Sequence, residues 1–428
     1  MKMVLEQLQI NDIEETDNEV HYLSFLAGCV VGEELYFSSW TDKGFYKMDL
    51  LTGACSFLKM FEKETENTHL YNSAIHYKGS IWLIPANHGE YLVKICLDTL
   101  DIEYIPLPES GRVILGKDGI RFKKFKCCYK DGDPVFWLIP IGFDVFLKVN
   151  MDTNQITVFP ELREHMEFAD GIINFFDACF IADDIWMCPK DSKKLVIFNT
   201  KKEKFIIRDW QCHDENETFS IIKSYNDWAV FIPSHKENPL LLINRVTFEE
   251  KRIPLGIRNS KDINWTHIAV DIIGQYVLLI PFLAAEMIAV DLETQDVQID
   301  RKLYNYVQNT SWKKMRYQTS CRQGSKILYM PDLPNIPLLV YDLKKNVISF
   351  LNKYIEPKEY SRFLKEYYRK DKDGFARWLK KYDPSYFSET EIPLDSYDIV
   401  INVLDNKKYS QNKTMEVGKR IFSEVKNK

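Results

Sequence analysis

The chain has 428 residues, of which 45% are hydrophobic and 14% aromatic, enough to fill a large core. Its mild formal net charge of −6 argues against a general nucleic-acid binder, which usually carries a basic surface. Nine cysteines without a Cys-x-x-Cys pair, and no apolar run of signal-peptide or membrane-spanning length, predict reduced thiols in a cytoplasmic protein without a membrane span.

After an N-terminal segment, residues 1–20, one pattern recurs seven times. A short apolar run ends in proline or a small residue, and ten or eleven positions later Asp, Asn or, once, Cys directly follows an apolar residue. The residues that end the seven runs are Ser39, Pro85, Pro140, Pro189, Pro233, Pro281 and Pro331. Their separations of 46, 55, 49, 44, 48 and 50 residues indicate a repeat of about 49 residues.

The second copy shows the content of one repeat most clearly. It predicts four strands, at 71–77, 81–85, 91–95 and 102–107, joined by polar or glycine-containing turns. Hairpins at this spacing are typical of an antiparallel meander. Because one four-stranded sheet cannot bury both of its faces alone, neighbouring repeats must stack and the ring must close.

The fold class that follows is all-β: a seven-bladed β-propeller of four-stranded antiparallel blades, over residues 21–355. A β-sandwich would not repeat the same strand-ending pattern at a constant period, and a parallel β-helix needs a shorter period. Six blades remain an alternative if the first copy, which lacks the proline, belongs to a closing strand. In repeat pattern the chain resembles the propeller class that includes WD-repeat, kelch and tectonin-like proteins. It has neither the Trp-Asp nor the double-glycine signature of a named family.

The remaining residues, 356–428, are predicted to form a helical C-terminal extension. Aromatic and apolar residues follow helical spacing within a basic segment at 358–381, and a last helix is expected near 414–425. This extension has 16 Lys and Arg against 13 Asp and Glu, a net charge of +3, so the rest of the chain carries −9. The imbalance suggests that the extension docks on the ring, although solvated surface charge explains it equally well.

In a meander of this strand order, the loops after each second strand and the connections between blades emerge on one face. By analogy with propellers in general, that face and the central funnel are the expected binding surface. The polar and aromatic residues that we assign to it are Trp40, Asp42, His69, Tyr71, Asn87, His88, His213, His235, Trp265 and His267. Such side chains suit a sugar, nucleotide or peptide ligand, while the preference of histidine for polar surface also accounts for them.

Signatures of chemistry are sparse. No His-x-His, His-Glu-x-x-His or paired-carboxylate spacing occurs, so we predict no metal and no cofactor and assign no catalytic residue. The segment 111–118 resembles a phosphate-binding loop but has Asp118 where Ser or Thr would hold magnesium. We interpret it as a connection between the second and third blades.

Three functional hypotheses follow. The first is a non-catalytic cytoplasmic propeller that binds a protein partner, or a small carbohydrate or peptide ligand, through the loop face and funnel. The second is a lyase or hydrolase acting on a carbohydrate or peptide, with funnel histidines as acid, base or metal ligand. The third is a subunit of a protein complex that docks through its C-terminal helices.

Overall fold

A computed structural model shows seven four-stranded antiparallel sheets, which confirms the seven-bladed propeller and rules out the six-bladed alternative. The first repeat is a complete blade of its own. The structure describes residues 5–11, 23–66, 68–111, 113, 124–162, 175–189, 194–209, 218–235, 237–257, 267–282, 284–310, 315–331, 333, 336–375 and 377.

Before the first blade the chain forms one 3-10 turn, Leu5–Gln7, and a short strand β1, Gln9–Ile10. Four strands in chain order then build each blade. In blades 1 to 4 they are β2–β5 (Phe25–Val31, Glu34–Ser39, Gly44–Asp49, Ala54–Met60), β6–β9 (Tyr71–Tyr77, Ser80–Pro85, Tyr91–Cys96, Ile102–Pro106), β10–β13 (Phe125–Tyr129, Val135–Pro140, Phe146–Asn150, Gln155–Phe159) and β14–β17 (Phe175–Ile181, Asp184–Pro189, Lys194–Asn199, Lys204–Asp209).

Blades 5 to 7 continue the pattern, and two helices accompany them. The strands are β18–β21 (Phe219–Tyr225, Trp228–Pro233, Leu240–Asn244, Glu250–Ile253), β22–β25 (His267–Ile273, Tyr276–Pro281, Met287–Asp291, Val297–Asp300) and β26–β29 (Tyr317–Gln323, Lys326–Pro331, Leu338–Asp342, Val347–Leu351). Helix α1, Lys302–Gln308, lies between blades 6 and 7, while a short strand β30, Tyr354–Ile355, and helix α2, Pro357–Lys370, follow the last blade.

The first strand of each blade is innermost, since neighbouring first strands pack against one another around the axis. Seven clusters of buried apolar side chains fill the spaces between blades, one at each interface. The apolar second strands are buried on both faces, as their unbroken hydrophobic runs predict. Most of the core is therefore shared between blades, and no blade has a complete core of its own.

The proline that ends most second strands lies opposite a buried ring. The first residue of every first strand pairs across the sheet with Ser39 or with the corresponding proline. These seven residues are all buried aromatic or imidazole side chains: Phe25, Tyr71, Phe125, Phe175, Phe219, His267 and Tyr317. The sequence pattern thus marks a ring of buried side chains beneath one end of the propeller.

The Asp or Asn that ends most third strands closes a turn. Its side-chain oxygen accepts hydrogen bonds from backbone N–H groups two and three residues later, as Asp49 does from Leu51 and Thr52 at 2.9 and 2.7 Å. In blade 2 the position is occupied by Cys96. Hydrogen bonds from the Thr99 side chain and from neighbouring backbone N–H groups lower the pKa of its thiol, so sulfur takes the role of the carboxylate.

The ring is closed by an exchange of chain ends. Strand β1 pairs in parallel with β29 at the outer edge of blade 7, and β30 pairs in parallel with β5 at the outer edge of blade 1. We call these two pairings the clasp. Because each end of the chain completes the blade built by the other end, opening the ring requires both pairings to break.

Helix α2 continues from the clasp and covers blade 1. Phe363 and Tyr367 are fully buried, and the Phe363 ring lies 6.0 Å from Tyr46 and 5.4 Å from Phe57, centroid to centroid. The apolar face of the helix is therefore used within the chain. Of the sequence-predicted helix at 358–381, α2 and a helical turn at 372–375 are seen. The predicted helix near 414–425 lies outside the described residues.

Two ion pairs join this helical region to blade 1. The ammonium of Lys43, which is 2% exposed, lies 2.8 Å from Asp371, and Lys370 lies 3.1 Å from Glu62. Burial alone would raise the pKa of Asp371, but the hydrogen bonds from Lys43 and from the Gly374 N–H, together with the nearby positive charges, hold that pKa below its usual value. The basic extension thus contacts the acidic ring at least up to Asp371.

Two glycines allow the close approach of the chain to blade 1 at the clasp to be tested. Gly53 and Gly79 both occupy the left-handed region, with φ of 80° and 72°. A Cβ on Gly53 would lie 1.8 Å from the backbone oxygen of Asn352, whereas a Cβ on Gly79 would meet nothing within 4 Å. We expect Gly79→Ala to lower the free energy of unfolding by about 1–2 kcal/mol from backbone strain alone. Gly53→Ala should lower it by about 1–3 kcal/mol more, because the clasp must shift to make room for the new Cβ.

Urea denaturation of the two variants, compared with the parent protein, measures this difference. Equal losses in the free energy of unfolding would contradict the close approach of residues 352–354 to the first blade.

The segment that resembles a phosphate-binding loop lies between β9 and β10, as the sequence predicts. Gly111 and Val113 are its described residues. A Cβ on Gly111 would lie 2.1 Å from the Phe143 ring, and Val113 forms an isolated bridge with Phe143. Close packing on blade 3 accounts for this glycine.

Candidate functional site

The loops after the second strands and the connections between blades share one end of the propeller, here called the loop face. In blades 1 and 2 its described residues are 40–43, 61–66, 68–70 and 86–90. Backbone hydrogen bonds join these loops: the Trp40 N–H donates to the Ser24 oxygen at 3.1 Å, and the Ala86 N–H to the Leu70 oxygen at 2.7 Å. The loops are therefore held by the framework of both blades.

Three of the sequence-predicted residues meet at this junction: Trp40, His69 and His88. The rings of Trp40 and His69 lie 4.0 Å apart in an edge-to-face arrangement, and those of His69 and His88 lie 5.9 Å apart. All three side chains are partly exposed. We call them the Trp–His cluster. An indole and two imidazoles offer an aromatic surface together with hydrogen-bonding nitrogens.

His69 is the central member of the cluster because its backbone bridges both loops. Its N–H donates to the Trp40 oxygen at 3.0 Å, and its own oxygen accepts the N–H of His88 at 3.2 Å. The residue adopts a φ of 57°, which is uncommon outside glycine and persists only where the surroundings impose it. The Nδ1 atom lies 3.0 Å from the Thr68 hydroxyl. The cluster is thus fixed through its main chain.

A buried lysine holds the loop that carries Asn87 and His88. Lys124 is 3% exposed and comes from the start of blade 3. Its ammonium donates to the main-chain oxygens of Gly89 at 2.6 Å, Asn87 at 3.2 Å and Ala86 at 3.4 Å. The sequence analysis missed this support, because nothing in the spacing links Lys124 to a loop 35 to 38 residues earlier.

A buried carboxylate supports the same loop from the other side. Glu64 accepts the Tyr71 hydroxyl at 2.7 Å and the Glu90 N–H at 2.8 Å. Burial raises the pKa of Glu64. Tyr71, predicted as a ligand contact, is fully buried in the ring of first-strand residues, and its hydroxyl is bound to Glu64. It belongs to the framework beneath the face.

Asp42 also lies beneath the surface, although the sequence placed it on the loop face. It is 3% exposed, and its carboxylate accepts the Gly44 N–H at 2.6 Å and the Tyr46 hydroxyl at 3.1 Å. Burial raises the pKa of Asp42 to about 6, against these hydrogen bonds, which favour the charged form. Asp42 shapes the loop that presents Trp40.

The remaining predicted histidines do not join the Trp–His cluster. His267 is 1% exposed, and its Nε2 donates to the Glu286 main-chain oxygen at 2.7 Å within blade 6. Burial lowers its pKa to about 4, so the ring is neutral at pH 7. His235 is partly exposed after the second strand of blade 5. His213 and Trp265 lie outside the described residues.

The described part of the chain contains no group of three or more His, Cys, Asp or Glu side chains that could hold a metal ion. Among its helices, none has the length and apolar character needed to cross a membrane. Within these ranges the Trp–His cluster brings together three of the ten predicted residues.

Comparisons with known proteins support the fold. No protein-family model matches the chain, and no curated protein matches it in sequence. The extracellular domain of the BT4673 protein from B. thetaiotaomicron aligns with a TM-score of 0.50 and 11% identity, over 74% of this chain and 39% of that one. The WD40 repeats of RRP9 align with a TM-score of 0.48 and 8% identity, over 72% of this chain and 87% of that one. At 11% identity, the first of these alignments shows a similar fold only.

Proposed function

We propose that this protein is a non-catalytic binding propeller of the cytoplasm, which captures a partner on its loop face through the Trp–His cluster. The observation that supports this most directly is the rigid presentation of Trp40, His69 and His88 by three interlocked loops. Pre-organised aromatic side chains of this kind contribute strongly to binding because little freedom is lost when the partner docks.

Two further observations favour this function over the alternatives. The buried, hydrogen-bonded position of His267 removes one of the groups that the lyase or hydrolase hypothesis needs at a common centre. The apolar face of α2 is packed on blade 1, so this face is not available for partner docking through the C-terminal helices.

Affinity capture with paired variants tests the proposal. Trp40→Ala removes the indole, and Leu51→Ala truncates a side chain that is 82% exposed on the opposite face of the same blade. We expect the proteins or ligands retained from a cell extract to be lost with Trp40→Ala and kept with Leu51→Ala. Equal recovery by the two folded variants would overturn the loop-face assignment.

A further inference from the structure

Acidic residues lie on the same loops as the Trp–His cluster. The connection before His69 reads Glu62-Lys63-Glu64-Thr65-Glu66, and its Glu62 and Glu66 are exposed. Glu90 follows His88 by two residues and accepts the Thr65 hydroxyl at 2.6 Å. This hydrogen bond joins the connection to the loop of blade 2. Negative charge is therefore held on the same two segments that carry the imidazoles.

The basic groups of these loops are directed elsewhere. The Lys63 ammonium lies 5.3 Å from the ring centre of Tyr104, on the outer strand of blade 2. Lys43 is buried against Asp371, and Lys124 is buried against main-chain oxygens. Lys370 reaches Glu62 at 3.1 Å. Among the described residues, Glu66 and Glu90 are then the carboxylates of these loops that are neither buried nor paired with a lysine.

The ring as a whole has the same sign. Residues 21–355 contain 39 Lys and Arg against 43 Asp and Glu, a net charge of −4. A field of this sign attracts cationic partners and speeds their encounter, and salt weakens it.

We infer that the partner segment recognised by the loop face is a basic peptide, with a lysine or arginine side chain against Trp40. This inference rests on the proposed function and names the chemistry of its partner. A cation over an indole face is the most favourable of the cation–π pairs. Glu66 and Glu90 supply the neutralising charge beside it, and the imidazole nitrogens of the cluster offer hydrogen bonds to the peptide backbone.

Fluorescence anisotropy with three labelled octapeptides tests the inference on the full chain. The probes alternate glycine with lysine, with glutamate or with serine. We expect the lysine peptide to bind, with an affinity that falls as salt is added. The glutamate and serine peptides should bind at least about tenfold more weakly. Trp40→Ala should lower the affinity for the lysine peptide roughly fivefold to thirtyfold.

A charge-matched pair of variants separates a local site from the general field. Glu66→Gln with Glu90→Gln removes two charges beside the cluster. Glu33→Gln with Asp131→Asn removes two exposed charges from turns on the opposite face. We expect the first pair of substitutions to lower the affinity for the lysine peptide at least about fivefold. The second pair should leave that affinity within about twofold of the parent protein's.

Equal weakening by the two pairs, or equal binding of the lysine and serine peptides, would overturn the basic-peptide inference. If the captured partner still depended on Trp40 in that case, the proposed function would stand without it. If Trp40→Ala changed neither peptide binding nor partner capture, both would fall.

Discussion

Phe363→Ala is expected to destabilise the whole propeller, although the residue lies in a helix outside the seven blades. Its ring is fully buried between Tyr46, Phe57 and Tyr367. Removing a buried phenylalanine costs about 3–5 kcal/mol, from lost transfer free energy and from the cavity that remains. A typical domain has a stability of only about 5–15 kcal/mol, so the loss is a large part of the total. Urea unfolding followed by far-UV circular dichroism measures it.

Arg369→Ala is the matched control, since Arg369 lies on the exposed side of the same helix. It should change the free energy of unfolding by less than about 0.5 kcal/mol. If Phe363→Ala were as mild as this control, α2 would be an appendage that blade 1 does not require. The predicted loss instead makes α2 part of the folded unit.

Lys124→Met is expected to weaken both the fold and the loop face. The substitution keeps the long apolar stem of the side chain but removes the ammonium that binds three main-chain oxygens of the 86–89 segment. Hydrogen bonds from charged groups contribute more than neutral ones, and buried acceptors left without a donor are costly. We therefore expect a loss of about 2–4 kcal/mol in the free energy of unfolding. Partner capture should fall because the loop that carries His88 loses its support.

Lys130→Met is the comparison for this experiment. The Lys130 ammonium also donates to a main-chain oxygen, that of Ala182, but on the opposite face and at an exposed position. It should lower stability by less than about 1 kcal/mol and leave partner capture unchanged. Capture that survives Lys124→Met in the folded protein would show that the position of His88 is immaterial to binding.

The strands of the propeller could be predicted because their signals are local. In blade 2 the expected strands at 71–77, 81–85, 91–95 and 102–107 differ from the observed ones by no more than one residue at either end. Pro85 marks the end of the second strand, and the turn at Cys96 marks the end of the third. Together they showed where each strand ends and on which face of the propeller each loop lies. The clasp could not be predicted, since β1 and β29 are joined by pairing between residues more than 330 positions apart.

The candidate site was predictable in part for the same reason. The repeat register placed Trp40, His69 and His88 on one face, and the structure brings them together. The register could not show which side chains turn inward. Tyr71 and His267 occupy the buried first position of their blades, a role that becomes visible only when all seven first strands are compared in space.

Site-specific photocrosslinking shows whether a partner docks on the loop face. A benzophenone amino acid is placed at position 63 in one protein and at position 51 in another, so that Trp40, His69 and His88 all stay in place. Lys63 is exposed on the connection that leads to His69, and Leu51 is exposed on the opposite face of the propeller. Each protein is irradiated in a cell extract or with the lysine peptide. We predict a discrete crosslinked product from position 63 and none from position 51. A product from position 51 alone, or the same products from both positions, would place the docking site away from the loop face.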